Sequence, residues 1–121
     1  MEKLTASLED YLEVIYNHRN LDKKIKPVDI SKELNISRAS VSEALQKLSH
    51  KGLINYGKYE KLSLTNLGLE IASQIAVKHK ILQEFFVKIG LSEREASENA
   101  CKIEHVITEN AYKKISEYIR K

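Results

Sequence analysis

The 121-residue sequence predicts a mainly helical fold carrying one small β-hairpin, and three observations predict it. Only one proline (Pro27) and four glycines (Gly52, Gly57, Gly68, Gly90) interrupt the chain. Most stretches between them repeat apolar residues at helical spacing. After Gly52 the period changes, and Leu53-Ile54-Asn55-Tyr56 and Lys61-Leu62-Ser63-Leu64-Thr65 flank Gly57-Lys58-Tyr59-Glu60 as two short strands flank a turn.

Each element follows from local chemistry. Thr5 or Ser7 can cap a first helix with Leu8, Tyr11, Leu12, Ile15 and Tyr16 on one side, ending near Asn20. Pro27 suits the first turn of a short helix that runs to Leu34, because its fixed φ and missing N–H cost nothing there. Ser37 can cap a third helix whose buried stripe is Val41, Ala44, Leu45 and Leu48, stopping near Gly52. Thr65 or Asn66 restarts helix after the hairpin, and Leu67, Ile71, Ile75, Leu82 and Phe86 carry this longest helix toward Gly90. Ser92 with Glu95 matches a capping box for a helix reaching about Ile107. Thr108 can cap a last helix with Ala111, Ile115, Tyr118 and Ile119. The natural division falls near residue 70, giving units 1–70 and 71–121.

Short helix, tight Asn35-Ile36 turn, capped helix and hairpin is the order of a winged helix-turn-helix. Charge agrees with it: net charge is only +3, but Lys23 to Lys61 holds nine Lys or Arg against four acids, an excess of +5 that attracts phosphates. Opposite the buried stripe of the third helix stand Arg38, Ala39, Ser40, Ser42, Glu43, Gln46 and Lys47, small, polar or cationic as insertion into a major groove demands. Arg38, Ser42 and Glu43 can reach base edges; Ser37, Ser40, Lys47 and the hairpin residues Lys58 and Lys61 suit phosphates. The alternative roles are structural: Ser37 and Ser40 as caps, Glu43 as the partner of Ser40 in a capping box, Lys47 as a solvated cation.

A second constellation points to a metal. Cys101, Glu104 and His105 fall at i, i+3 and i+4, so all three project from one helix face. Asp10 and Glu13 are similarly spaced on the first helix, and His79 interrupts the apolar stripe of the long one. Separately, such residues are more often a core histidine and solvated carboxylates; together they offer N, O and S donors. The single cysteine rules out an intramolecular disulfide and predicts a reduced thiol. No apolar run approaches the roughly 20 residues of a membrane-spanning helix, and Met1-Glu2-Lys3-Leu4 carries no apolar signal segment, so a cytoplasmic protein is expected.

These residues carry a resemblance. Leu8 to Tyr16, Ser37 to Leu48, Lys78-His79, Ile89-Gly90-Leu91 and above all Ala100-Cys101-Lys102-Ile103-Glu104-His105-Val106 resemble the metal-dependent repressors of the diphtheria toxin repressor and manganese transport regulator family. The resemblance implies a winged helix followed by a helical dimerisation domain, and a regulator of iron or manganese homeostasis that represses from a two-fold operator as a homodimer. It implies Asp10, Glu13, His79, Cys101, Glu104 and His105 as ligands of Fe2+ or Mn2+, one or two ions per subunit, with no organic ligand and no catalysis. Asp10 and Glu13 look like the manganese branch and Cys101 like the iron branch; Gln83 and Ser97 stand where the iron branch has further ligands. No sequence is left for that branch's SH3-like domain. Two rival readings use the same residues: a metal-independent winged-helix regulator, and a two-metal hydrolase. The hydrolase lacks a separate nucleophile or a phosphate-binding glycine loop.

Overall fold

The structure, a computed structural model, describes residues 4–19, 25–57 and 60–120. Its elements run α1 (Ala6–His18), α2 (Pro27–Leu34), α3 (Arg38–His50), β1 (Ile54–Gly57), β2 (Glu60–Leu64), α4 (Asn66–Lys88), α5 (Glu93–Ile103) and α6 (Glu109–Arg120). The chain forms two compact units, residues 1–73 and 74–121, dividing inside α4. Among the described residues no helix is long and apolar enough to cross a membrane.

In the first unit the caps fix where helices begin. Thr5 Oγ1 accepts the Leu8 N–H at 3.2 Å, and α1 buries Leu8, Tyr11, Leu12, Val14 and Ile15. Tyr16, expected on that stripe, is half-buried, and Arg19 lies 3.6 Å over its ring. The helix closes at His18; the expected end at Asn20 lies outside the described residues. Pro27 occupies the first turn of α2, and Asp29 Oδ2 accepts the Lys26 N–H at 2.8 Å. Asn35 ends α2 with φ 55° and ψ 51°, a left-handed geometry that its short amide tolerates. That reversal lets Ile36 N–H bond Ser31 O at 3.1 Å and starts α3 two residues later. Ile30, Val41, Ala44, Leu45, Leu48, Leu53 and Ile54 join the α1 residues in one core.

β1 and β2 pair antiparallel, Ile54 opposite Leu64 and Asn55 opposite Ser63, with a register shift before the Gly57–Glu60 pair. A polar staple holds this hairpin to the start of α4. Thr65 N–H bonds Leu53 O at 3.1 Å, Thr65 Oγ1 donates to Gly52 O at 2.7 Å, and the same oxygen accepts the Gly68 N–H at 3.0 Å, capping α4. Gly68 makes the approach possible: a Cβ there would fall 1.8 Å from Leu53 O.

In the second unit Ile75, Leu82, Ala96 and Ala100 are buried. Ser92 Oγ accepts the Glu95 N–H at 3.1 Å, and Thr108 Oγ1 the Ala111 N–H at 3.2 Å, where both caps were expected. Lys78 meets Glu109 at 3.3 Å and the Tyr112 ring at 5.3 Å, while Phe85 and Lys88 meet Tyr118 at 6.0 and 4.8 Å. Contacts rise along both helices together, so α6 runs parallel to α4. One boundary differs from expectation: α5 ends at Ile103, not Ile107. The β-branched pair Val106-Ile107 is a poor helix former before the Thr108 cap, and Ile107 N–H closes the turn on Ile103 O at 2.9 Å.

Replacing Gly68 by Ala should lower stability by about 1–3 kcal/mol, because the Leu53 carbonyl is backbone and cannot yield by a rotamer change. Urea unfolding followed by circular dichroism measures it.

Candidate metal centre and DNA-facing surface

Within the second unit the structure brings three of the expected ligands together. The Glu104 side chain is fully buried, yet neither carboxylate oxygen has a hydrogen-bond partner. Glu104 Oε2 lies 3.4 Å from His79 Nδ1, close but not aligned as a hydrogen bond, and Oε1 lies 3.7 Å from His105 Nε2. Ser97 Oγ sits 3.3 Å from His79 Nε2 and so holds the other edge of that imidazole. Cys101, one turn before Glu104 on α5, is exposed. Although α5 proper ends at Ile103, Glu104 keeps right-handed helical dihedrals (φ −58°, ψ −27°), so the one-turn spacing from Cys101 survives. Asp10 and Glu13 belong to the first unit, one turn apart on α1 and both half-buried.

A carboxylate removed from water with neither oxygen satisfied is costly unless a positive charge faces it. The same demand acts on His79: its pKa is raised above the ordinary imidazole value near 6.5, chiefly by interaction with Glu104, against the opposing effect of burial. A divalent cation among oxygen and imidazole donors answers it, so the residues present fit a metal. Ser97, which in sequence is only a departure from the ligands of the iron branch, supplies a contact to His79 that its spacing does not reveal. Gln83, the other departure, donates to Glu93 Oε2 at 3.2 Å.

On the first unit, α3 turns Val41, Ala44, Leu45 and Leu48 into the core and exposes Arg38, Ala39, Ser40, Glu43, Gln46 and Lys47, with Ser42 half-buried. Ser37 is the cap, its Oγ accepting the Ser40 N–H at 3.1 Å. Ser40 is therefore the third helical residue rather than a cap, and no Ser40–Glu43 capping box is formed; Glu43 pairs instead with Lys47 at 3.4 Å. That pair is exposed, so it is weak and readily exchanged for a stronger partner. Lys61 is exposed on β2, while Lys58 lies outside the described residues. Beyond Lys47 the same surface continues into a cavity of about 600 Å³ lined by Gln46, Ser49, His50, Tyr56 and Gly57. Extending the exposed period of α3 by one turn would have pointed to its helical members.

Residues 3–62 match the iron dependent repressor N-terminal DNA binding domain, and residues 65–121 the iron dependent repressor metal binding and dimerisation domain. The chain belongs to the iron-dependent repressor family. It is 37% identical over 120 residues to an uncharacterised HTH-type transcriptional regulator of Methanocaldococcus jannaschii, covering 98% of this chain and 96% of that one. It is 30% identical over 116 residues to the HTH-type transcriptional regulator MntR of Bacillus subtilis, covering 96% of this chain and 82% of that one. The solved structure of the manganese regulator SloR superposes with a TM-score of 0.83 at 27% identity, over 93% of this chain and 53% of that one. The fold is thus a winged helix followed by a helical domain, and the protein is a metal-dependent transcriptional repressor of the diphtheria toxin repressor and manganese transport regulator family, a family of regulators rather than enzymes.

Replacing Glu104 by Met, similar in size and uncharged, should raise metal-free stability by roughly 1–3 kcal/mol and abolish stabilisation by added Mn2+. Thermal unfolding with and without EDTA checks both halves; a metal-free variant less stable than the parent contradicts this account of Glu104.

Proposed function

We propose that this repressor, as a homodimer, binds a two-fold operator in double-stranded DNA when Fe2+ or Mn2+ is held by Asp10, Glu13, His79, Cys101, Glu104 and His105. The observation that carries this reading is the fully buried Glu104 carboxylate, unsatisfied and flanked by two imidazoles. When bound, the ion supplies the positive charge that this carboxylate lacks. The donor set supports the choice of metals: carboxylates suit Mn2+, imidazoles and a thiolate suit Fe2+ and softer ions. One or two ions per subunit are consistent with six donors.

Two of these ligands stand on α1 of the DNA-binding unit and four in the dimerisation unit, His79 on α4, Cys101 on α5, and Glu104 and His105 in the turn that follows α5. Ligation by both units fixes each recognition helix relative to the dimer. Two-fold operators present half-sites about 34 Å apart. A dimer whose two α3 helices already stand at that spacing has less to order on binding than one whose heads are loosely held. The metal preference for the DNA-competent arrangement sets the response, and a shift from 1:99 to 99:1 takes about 5.5 kcal/mol of it.

Titrating a chelator-treated sample with Mn2+, Fe2+, Co2+ and Zn2+ while following binding to genomic DNA fragments tests this reading. Operator binding should rise steeply with Mn2+ or Fe2+ and vanish with EDTA, and Glu104→Ala or His105→Ala should abolish the response. Binding that ignores the chelator would make this a metal-independent winged-helix regulator. Because Cys101 must ionise and the imidazoles must be neutral to ligate, metal affinity should fall in acid, with proton release measurable by calorimetry in buffers of different ionisation enthalpy.

A further inference from the structure

The DNA-facing side of α3 runs further than the base-reading positions. Ala39, Glu43, Gln46 and His50 succeed one another at helical spacing, so one side of the helix reaches from its first turn to its last. α3 has 13 residues, a length of about 20 Å, whereas the major groove is about 12 Å wide. A recognition helix that presents its N-terminal turns to base edges therefore carries its last turn past the rim of the groove, where a sugar-phosphate strand passes.

At that end lies the cavity lined by Gln46, Ser49 and His50 of α3 and by Tyr56 and Gly57 of β1. An amide, a hydroxyl, an imidazole and a phenol face it, all able to donate hydrogen bonds, and among the described residues no lining residue is acidic. Gln46 and His50 are exposed, Ser49 and Tyr56 half-buried, and among the described residues none of these four side chains is engaged in a hydrogen bond or ion pair. A concave, donor-rich site at the end of a DNA-facing helix has the chemistry of a phosphodiester seat.

We infer that this cavity takes one backbone phosphate of each operator half-site, with Gln46, Ser49, His50 and Tyr56 as positioning residues that set the depth of α3 in the groove. The inference rests on the DNA-binding reading above. Contacts of this kind fix register and carry no base information.

The test uses the Mn2+-loaded full chain with an operator fragment and with a short duplex of scrambled sequence. His50→Ala/Tyr56→Phe should weaken binding to both duplexes by the same factor, about tenfold. The ratio of the two affinities and the Mn2+ affinity should not change. Gln46→Ala/Ser49→Ala, which trims the same cavity at positions outside the core, should give the same pattern. Replacing single operator phosphates by methylphosphonates should reveal one position per half-site that costs the parent affinity and costs the variants nothing more. Unchanged affinity for both duplexes, a loss confined to the operator, or equal phosphate sensitivity in parent and variants would each overturn the inference. If the parent bound neither duplex with Mn2+ present, the DNA-binding reading and the inference would fall together.

Discussion

The second unit is organised around a negative charge kept from water. Glu104 has both carboxylate oxygens buried without hydrogen bonds, and what lies closest to them is imidazole: His79 at 3.4 Å and His105 at 3.7 Å. A buried carboxyl group with neither oxygen hydrogen-bonded is costly, and a cation among these donors would relieve that cost. The raised pKa of His79 is the same cost seen from the other partner, since a proton on that ring is the nearest available positive charge. The Ser97 hydroxyl at the far edge of the imidazole, 3.3 Å from His79 Nε2, orients that ring.

The first unit solves a different problem, which is to hold a recognition helix and a hairpin rigidly with few residues. Four buried side chains of α3 anchor it in the core, leaving its opposite side exposed. The hairpin has only two strands, too few to be stable alone in water. Its rigidity comes from packing Ile54 into the core and from Thr65, which bonds Gly52 and Leu53 on one side and caps α4 on the other. Gly68 is the counterpart of that staple, because only a residue without Cβ lets α4 start so close to the Leu53 carbonyl. Hairpin and long helix are thereby locked at a single junction, and displacement at one is felt at the other.

Most of this was legible in the sequence because the signals were local. Thr5, Ser37, Ser92 and Thr108 each cap the helix expected of them, and the change of period after Gly52 marks the hairpin correctly. Where local signals competed, the sequence did not decide. Ser37 and Ser40 are both good caps, and only the αL turn at Asn35 determines that Ser37 lies at the helix start and Ser40 inside it. The end of α5 was set by the β-branched pair beyond it and by the next cap, neither of which alters the apolar period used to place it. Spacing alone put Cys101, Glu104 and His105 on one face, but spacing says nothing of burial, and the burial of Glu104 separates this carboxylate from its many solvated counterparts. The role of Ser97 and the cavity at Tyr56 depend on elements distant in sequence, and no periodicity reports them.

Burial of Glu104 also bears on how a metal can act as a switch. A ligand that bound two arrangements equally well would shift neither, however tightly it bound. A site can gain preference by holding the ion well in one arrangement, or by making the metal-free form of that arrangement expensive. With Glu104 as a ligand, as proposed above, the orphaned carboxylate would do the second: without a cation, an arrangement that keeps Glu104 dry would bear the desolvation cost, and one that wets it would not. The discrimination would then come partly from a penalty on the empty state, so that the difference in affinity between the two arrangements, rather than tight binding in itself, would set the response.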